Sequence, residues 1–399
     1  MRAPIAQLFG RVTADRANAF VLLFLLDAAY RALLITIVPQ RAYAILGSAA
    51  GVTLLYFGVS VAGLAVSLYL PAILDRVARG TVLAGATLLS VAACAMFASG
   101  SLPGLVFGLV FQTAVGAILE VLINVAMLDH VARRDLNRFE PRRLLYAGSA
   151  FVLGPFVGVA LDSNVAHNLT FAIAAALAIM LLLSFHRFGL ADTDTQALRP
   201  RTQSGERPNP LSLVPKFAAQ PRLVLAWVLA IGRTGWWYMY FIYTPILVAG
   251  YGYSADVGGA IVSAGMIPMF LIRTWARLGA RHGIRELLTW AYAITGIVTI
   301  SVGLTGNLPK LSLALMCLAA CCATAIDGAG NVPFLRAVRP LQRAQMTSVF
   351  MTFRHVASLT MPAMFTLVLS VAPLAGVFIA SGVIALSMSA LSRHLPRGL

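Results

Sequence analysis

Charged residues are scarce in this chain: they make up 11% of its 399 residues, only 14 of them are acidic, and 59% of the residues are hydrophobic. A soluble domain of this length needs a far larger polar surface, so the composition excludes that class. All four cysteines fall within apolar runs, and no group of cysteines, histidines and carboxylates has the spacing of a metal site. No nucleotide-binding loop and no nucleophile beside a base is recognisable, so we expect neither an enzyme nor a metal or cofactor.

Long apolar runs take up most of the chain. Each has about 18–28 residues, enough to cross roughly 30 Å of hydrocarbon as a helix. Together with a mean hydropathy of +0.85, they predict an all-α membrane protein with twelve transmembrane helices. The predicted spans are 18–38, 46–70, 81–99, 103–128, 144–161, 169–186, 222–249, 257–274, 286–306, 311–333, 346–371 and 374–392.

Basic residues lie mostly on one side of these spans. With the N-terminus inside, 25 of the 30 fall in cytoplasmic segments or, for Arg222 and Arg273, at the cytoplasmic ends of spans; Arg41 and Lys310 lie outside, and three fall deeper within spans. By the positive-inside rule, this bias predicts cytoplasmic N- and C-termini, and we expect a bacterial inner membrane. The net charge of +16 is then explained by loops that face an anionic leaflet, so no nucleic-acid partner is expected. We expect a monomer in the lipid bilayer.

One long polar segment, 187–221, divides the chain. It is rich in proline and charge, and we interpret it as a cytoplasmic linker with a short surface helix near 211–219. The sequence therefore predicts an N-terminal six-helix bundle over 1–186 and a C-terminal one over 222–399.

The two predicted bundles resemble each other in sequence. Landmarks of the first half recur about 207 residues later, and such a six-plus-six repeat places a solute site between the halves, around a central cavity near the membrane midplane. The recurring pairs are Glu120 and Asp327, Asn124 and Asn331, Pro155 and Pro362, each displaced by 207 residues, and Pro39 and Pro245, displaced by 206.

The loop between spans 2 and 3 carries a family resemblance. Its Asp75, Arg76 and Arg79 resemble the Asp-Arg loop of the major facilitator superfamily, although Pro71 and Ala78 replace two of that motif's glycines. The resemblance implies a twelve-span transporter in which these three residues form a conformational latch between helix ends. A solvated turn that only anchors the topology is the alternative.

Span 5 contains Gly154-Pro155 followed by Gly158, which resembles the glycine-proline motif of that superfamily's antiporters. Valine stands at position 159, where the motif has a second glycine. The two glycines lie one turn apart and allow close approach of another helix, while Pro155 bends the span. Packing without any role in coupling is equally compatible with this pattern.

Several ionisable side chains fall within predicted spans, and each is costly there unless it is paired or faces water. Three are acidic and three basic, so complete internal pairing is possible. The family resemblance implies that spans 1, 4, 7 and 10, which carry five of them, line the central cavity. The six residues are Asp27, Arg31, Glu120, Arg233, Asp327 and Arg354.

Asp27 and Arg31 are one helical turn apart, so they can pair locally. Arg233 has no acidic residue on its own span. We therefore expect its partner across the cavity, either Asp27 or an anionic solute.

Glu120 and Asp327 are candidates for carboxylates that exchange protons during transport, because alternating access changes their exposure. The alternative is a salt bridge at an inner gate. Asn124 and Asn331, one turn further on, share their faces.

Span 7 is rich in aromatic residues. We expect Arg233, Trp236, Tyr240 and Tyr243 to form one stripe that faces the cavity, where it suits an amphipathic solute. Packing of these rings against lipid or neighbouring helices is the alternative.

The sequence thus predicts a secondary active transporter that exports a small organic solute by alternating access, coupled to protons. Uptake or flipping of an organic anion or lipid-like solute is a second possibility, suggested by the three arginines within spans. A receptor on a transporter fold that does not transport is a third.

Overall fold

The structure is a computed structural model that describes residues 3–130, 136–189, 210–339 and 342–396. Within these ranges it describes all side chains except those of 3–17, 66–76, 124–125, 128–130, 136–142, 144, 210–212, 343–345 and 348.

The first half of the chain forms six α-helices, one for each predicted span. A single π-helical turn, Leu161–Val165, extends the fifth helix. The helices are α1 (Ala3–Leu46), α2 (Ala49–Arg76), α3 (Arg79–Ala98), α4 (Leu102–His130), α5 (Leu136–Ala160) and α6 (Leu169–Arg187).

The second half begins with a short helix in the predicted linker, α7 (Pro210–Ala218), and continues with nine more α-helices. Three of its predicted spans are interrupted, so that two α-helices make up each. These helices are α8 (Pro221–Gly250), α9 (Ala255–Met266), α10 (Ile272–His282), α11 (Ile284–Leu304), α12 (Pro309–Ala329), α13 (Val332–Ala337), α14 (Arg343–Phe350), α15 (Phe353–Val371) and α16 (Ala375–Ser392).

The predicted all-α membrane architecture is confirmed. Within the described ranges every regular element is helical, and ten helical segments are long and apolar enough to cross a membrane. The first part of α2, Ala49–Ala65, is a shorter apolar helix. The twelve predicted spans thus correspond to α1–α6, α8, α9 with α10, α11, α12 with α13, α14 with α15, and α16.

The chain forms two compact units, and the first part of α2 belongs to the second of them. One unit comprises Met1–Ile45 and Gly58–Arg201, and the other comprises Leu46–Phe57 and Thr202–Leu399. The two units group residues that contact one another, whereas each predicted bundle is a continuous range of the sequence.

The core of the second unit is built around α8. On one side α8 packs with α11, α12 and α16 through residues such as Leu229, Tyr292 and Ala385. On another side it packs with α7, α13 and α14 through Leu213 and Phe334. The linker helix α7 is therefore part of this unit's core.

Local sequence explains the three interrupted spans. A 3₁₀ turn, Ile267–Leu271, separates α9 from α10 and contains Pro268, which cannot donate a backbone hydrogen bond. Gly330 separates α12 from α13, with φ +53° and ψ −130°. Between α14 and α15, the Thr352 hydroxyl donates to the Val349 carbonyl and so competes with the helix.

Arg41 was predicted in an outer loop, but it lies on α1, which continues to Leu46. Its guanidinium is largely buried and contacts both carboxylate oxygens of Asp162, at 2.9 and 3.0 Å. Asp162 also accepts from the Asn168 backbone N–H at 2.6 Å, and the guanidinium carbon lies 4.7 Å from the centre of the Phe171 ring. This buried ion pair joins α1, the π-helical turn and α6 at one end of the first unit.

Candidate functional site

The first unit contains an ion pair on α1 that also reaches α4. The Arg31 Nε lies 3.0 Å from the Asp27 Oδ1, one helical turn away. Its Nη2 donates to the Gly116 carbonyl of α4 at 3.2 Å. Arg31 therefore contacts one carboxylate on its own helix and one backbone carbonyl on α4, and so links the two helices.

The two glycines of span 5 lie against α1 beside this pair. A Cβ atom at position 154 would collide with Ala32, and one at position 158 would collide with the Leu33 carbonyl oxygen. Glycine is therefore required for α5 to approach α1 at the residues that directly follow Arg31.

Arg233 finds its carboxylate within its own unit, which corrects the prediction of a partner on span 1. The Arg233 Nε lies 3.6 Å from Asp327 Oδ1 on α12, and its Nη2 donates to Asn331 Oδ1 at 3.1 Å. Asp27 is instead paired with Arg31. The prediction was wrong because it considered acidic residues on α8 and at the repeat-related position, but not on α12.

The break in span 10 lies between the two side chains that Arg233 holds. Asp327 lies in the last turn of α12, which ends at Ala329, and Asn331 directly precedes α13. Arg233, Asn331 and Tyr292 also line a small cavity. The space in it that the centre of a water molecule can occupy is about 10 Å³. The rest of its lining is mainly apolar, from side chains such as Leu229 and Phe334.

Trp237 is the functional side chain that the sequence analysis missed. Its indole N–H donates to Asp327 Oδ2 at 2.8 Å, so Asp327 accepts from Trp237 with one oxygen and faces Arg233 with the other. About a fifth of the Asp327 side chain remains exposed. The carboxylate thus has two donors and an open face.

The predicted aromatic stripe of span 7 is buried, which is a second correction. Trp236, Tyr240 and Tyr243 are at most 4% exposed. The partly exposed face of α8 carries Arg233 and Trp237 instead.

Each buried ring has a packing partner within the second unit. Trp236 donates to the Thr299 hydroxyl of α11 at 3.0 Å, and the Tyr240 hydroxyl donates to the Ile261 carbonyl of α9 at 3.0 Å. The hydroxyls of Tyr243 and Thr53 are 2.6 Å apart. These three side chains therefore pack against neighbouring helices, as the alternative interpretation of the stripe states.

Arg354 lies at the start of α15 and is exposed, so it is not buried within a continuous span 11. Its guanidinium carbon is 5.7 Å from the centre of the Phe353 ring, and that of Arg233 is 5.8 Å from the same ring. This aromatic ring therefore contacts two cations on different helices.

The remaining predicted site residues are described only in part. Glu120 is half-buried on α4. Arg79 is half-buried at the start of α3. The side chains of Asp75, Arg76 and Asn124 lie outside the described residues, so the predicted latch stays a prediction. Among the described residues, no group of three or more histidine, cysteine or carboxylate side chains could hold a metal ion.

The sequence profile described as Major Facilitator Superfamily matches residues 20–275. A comparison with the curated proteins found no match.

Solved transporter structures share the fold. A mutant form of the nucleoside transporter NupG is similar with a TM-score of 0.76, at 14% identity over 95% of this chain and 99% of that chain. A D-xylose–proton symporter is similar with a TM-score of 0.72, at 13% identity over 95% and 97% of the two chains. A peptide transporter, POT, has a TM-score of 0.72 at 13% identity, over 94% of this chain and 93% of that chain.

Proposed function

This chain belongs to the major facilitator superfamily, and on that premise we propose that it is a secondary active transporter for a small polar organic solute, coupled to protons through Asp327. Alternating access exposes the solute site first to one side of the membrane and then to the other.

The arrangement around Asp327 is the observation that carries this proposal. Its carboxylate faces Arg233 and accepts from Trp237, and part of it stays exposed. Protonation neutralises the carboxylate and leaves the Arg233 guanidinium without its counter-charge within the membrane, which is costly. Arg233 must then find another acceptor, either water or a polar group of the solute. Proton binding and solute binding are thereby linked through one side chain.

Pairing of the arginines favours this function over transport of an organic anion. Arg31 is held by Asp27, and Arg233 by Asp327 while that carboxylate is ionised, so in this state neither offers an uncompensated positive charge to a solute. A neutral or zwitterionic solute fits such a balance. The nucleoside, sugar and peptide transporters that share the fold carry solutes of this polar kind.

We propose export as the direction, on the resemblance of the span 5 motif to that of antiporters. The close packing of Gly154 and Gly158 against α1, beside the Asp27–Arg31 pair, supports a role for this motif. Because α5 packs against the residues that follow Arg31, a shift of α5 would displace that part of α1 and the ion pair on it.

Flux into and out of proteoliposomes with an imposed pH gradient tests the coupling. A ligand thermal-shift screen with a nucleoside, D-xylose and a dipeptide first finds a solute that binds. Asp327→Asn should abolish acceleration by the gradient, while exchange of the solute without a gradient survives, because an amide keeps the shape but cannot titrate.

Asp162→Asn is the matched control, since it removes the carboxylate of a buried ion pair remote from Asp327 in the sequence and in the other unit. It should lower stability without changing the gradient response. If Asp327→Asn leaves gradient-driven flux intact, proton coupling at this residue is refuted.

A further inference from the structure

Three arginines form a ladder along the exposed face of α10. Arg273, Arg277 and Arg281 follow one another at intervals of four residues, so they lie on one side of the helix, and all three are exposed. The predicted span ended at residue 274, but in the structure the helix continues to His282.

These arginines have no counter-charge within the described part of the chain. No described carboxylate forms an ion pair with any of them. Glu286, the nearest acidic residue in the sequence, is exposed on α11 and is not their partner either. An anionic group that pairs with these arginines would therefore come from outside the described residues.

The length of the span places the ladder at the membrane boundary. From Ala255, at about 1.5 Å per residue, the three arginines lie about 27, 33 and 39 Å along the helix axis. A hydrocarbon core is about 30 Å thick, so they extend from its edge through the headgroup layer.

Aromatic residues mark both boundaries of this region. Tyr251 and Tyr253 directly precede α9 at one end. At the other end, Trp290 of α11 is 66% exposed, about 9 Å from the start of its helix. Tyrosine and tryptophan are enriched at membrane interfaces.

The surroundings of the ladder are apolar, which indicates contact with lipid. On the same segment, Phe270 and Leu271 are each 47% exposed and Leu278 is 39% exposed. The opposite face packs on α12, where Trp275 donates to Thr324 at 3.1 Å and contacts Gly328. The arginine side chains can bury their methylene groups along the apolar surface and extend their guanidinium groups toward the headgroups.

We propose that Arg273, Arg277 and Arg281 bind the phosphate headgroups of anionic phospholipids. Guanidinium groups recognise phosphate through paired hydrogen bonds, and negatively charged lipids are concentrated where the positive-inside rule places this end of the span. This lipid site is independent of the proposed solute and of proton coupling.

Native mass spectrometry of the purified full-length protein with phosphatidylglycerol and phosphatidylcholine tests the proposal. The parent should bind phosphatidylglycerol in preference, and this lipid should raise its melting temperature. Each Arg→Gln substitution in the ladder should weaken phosphatidylglycerol binding about fivefold, and the triple variant about a hundredfold. Phosphatidylcholine binding should not change.

The control variant carries Arg187→Gln, Arg336→Gln and Arg393→Gln, three exposed arginines on separate helix ends that give the same change in net charge. It should keep the preference for phosphatidylglycerol. Equal losses in both triple variants would mean that only net charge matters, and would overturn the site. Stabilisation by inorganic phosphate at the same anion concentration would overturn the lipid assignment. If the ladder variant is destabilised equally with and without lipid, the arginines bind a protein group instead, and the lipid site is overturned. If the triple variant does not fold, the single Arg277→Gln variant, which removes only the middle charge, is compared in the same way.

Discussion

Adjacent tryptophans on α8 have different environments. Trp236 is 4% exposed and donates to Thr299, whereas Trp237 is half-buried and donates to Asp327. Successive residues of a helix point about 100° apart, so one indole faces the core of the second unit and the other reaches the charge network. The same chemical change at the two positions can therefore separate packing from function.

We predict that Trp237→Phe changes the pH dependence of transport, whereas Trp236→Phe changes the stability of the protein. Trp237→Phe removes one donor from Asp327 and should shift the pH dependence of solute flux, with little change in melting temperature. Trp236→Phe leaves the buried Thr299 hydroxyl with one partner fewer and should lower stability by about 1–2 kcal/mol, with an unchanged pH profile. Flux between pH 5 and 8 and thermal unfolding measure the two effects. A shift in the pH profile of the same size in both variants would mean that Trp237 does not tune Asp327.

A signal in the sequence could have identified the buried face of α8. Gly232 approaches Met388 of α16 closely, and Gly235 approaches Met361 of α15. Small residues mark the face of a membrane helix that packs against its neighbours. Trp236 lies one helical turn after Gly232 and so borders that face. Trp237 lies about 140° from Gly232 around the helix, away from the two glycines.

At the scale of helices, the two halves differ most where span 10 is interrupted. Gly330 takes φ +53° and ψ −130°, a conformation that only glycine adopts readily. The residue that corresponds to it in the first half is Ile123, which is β-branched, and α4 continues through it to His130. The helix after the carboxylate is thus broken where glycine stands and continuous where isoleucine stands.

We predict that Gly330→Ala lowers the free energy of unfolding by about 1–3 kcal/mol, because alanine is strained in this conformation. There is room for the methyl group, since the nearest atom to its position is the Asp327 carbonyl oxygen at 3.6 Å, so the cost is conformational. Gly306→Ala, where no atom lies within 4 Å and φ is not positive, is the matched control and should change little. Equal melting temperatures for the two variants would show that the break does not depend on glycine.

Hydropathy predicted the existence and order of the spans because twenty apolar residues suffice to define a membrane helix. It could not predict that α1 continues past Pro39 to Leu46, or that α10 continues to His282, since polar residues at helix ends carry no signal of this kind. The local pairing of Asp27 and Arg31 could be expected from their spacing of four. The pairing of Arg233 with Asp327 depends on how α8 and α12 pack, which a single sequence does not specify.

Across the whole molecule, interacting side chains stand at equivalent positions of the two halves, but the residue types at those positions differ. Asp27 and Arg31 recur as Arg233 and Trp237, both displaced by 206 residues. In the first unit the acid and base share α1, and Arg31 also donates to the Gly116 carbonyl of α4. In the second unit the acid lies on α12, at Asp327, and both α8 residues contact it. The same two helix positions therefore join the first and fourth helices of each half in different ways, with the carboxylate on the first helix in one half and on the fourth helix in the other.

Membrane orientation applies to the chain as a whole. Because 25 of the 30 basic residues fall on one predicted side, we expect reporter tags after Gly205 and at the C-terminus to be cytoplasmic and a tag beside Asp256 to be on the opposite side. Accessibility of the tags in intact and permeabilised cells measures this. The control is Lys310→Glu, at the start of α12 on the side predicted to have few basic residues, and it should leave the positions of the tags unchanged. Tags after Gly205 and at the C-terminus on opposite sides would require an odd number of spans between them. Such a result would contradict the six spans of the second half, and it would remove the orientation on which the lipid site of α10 depends.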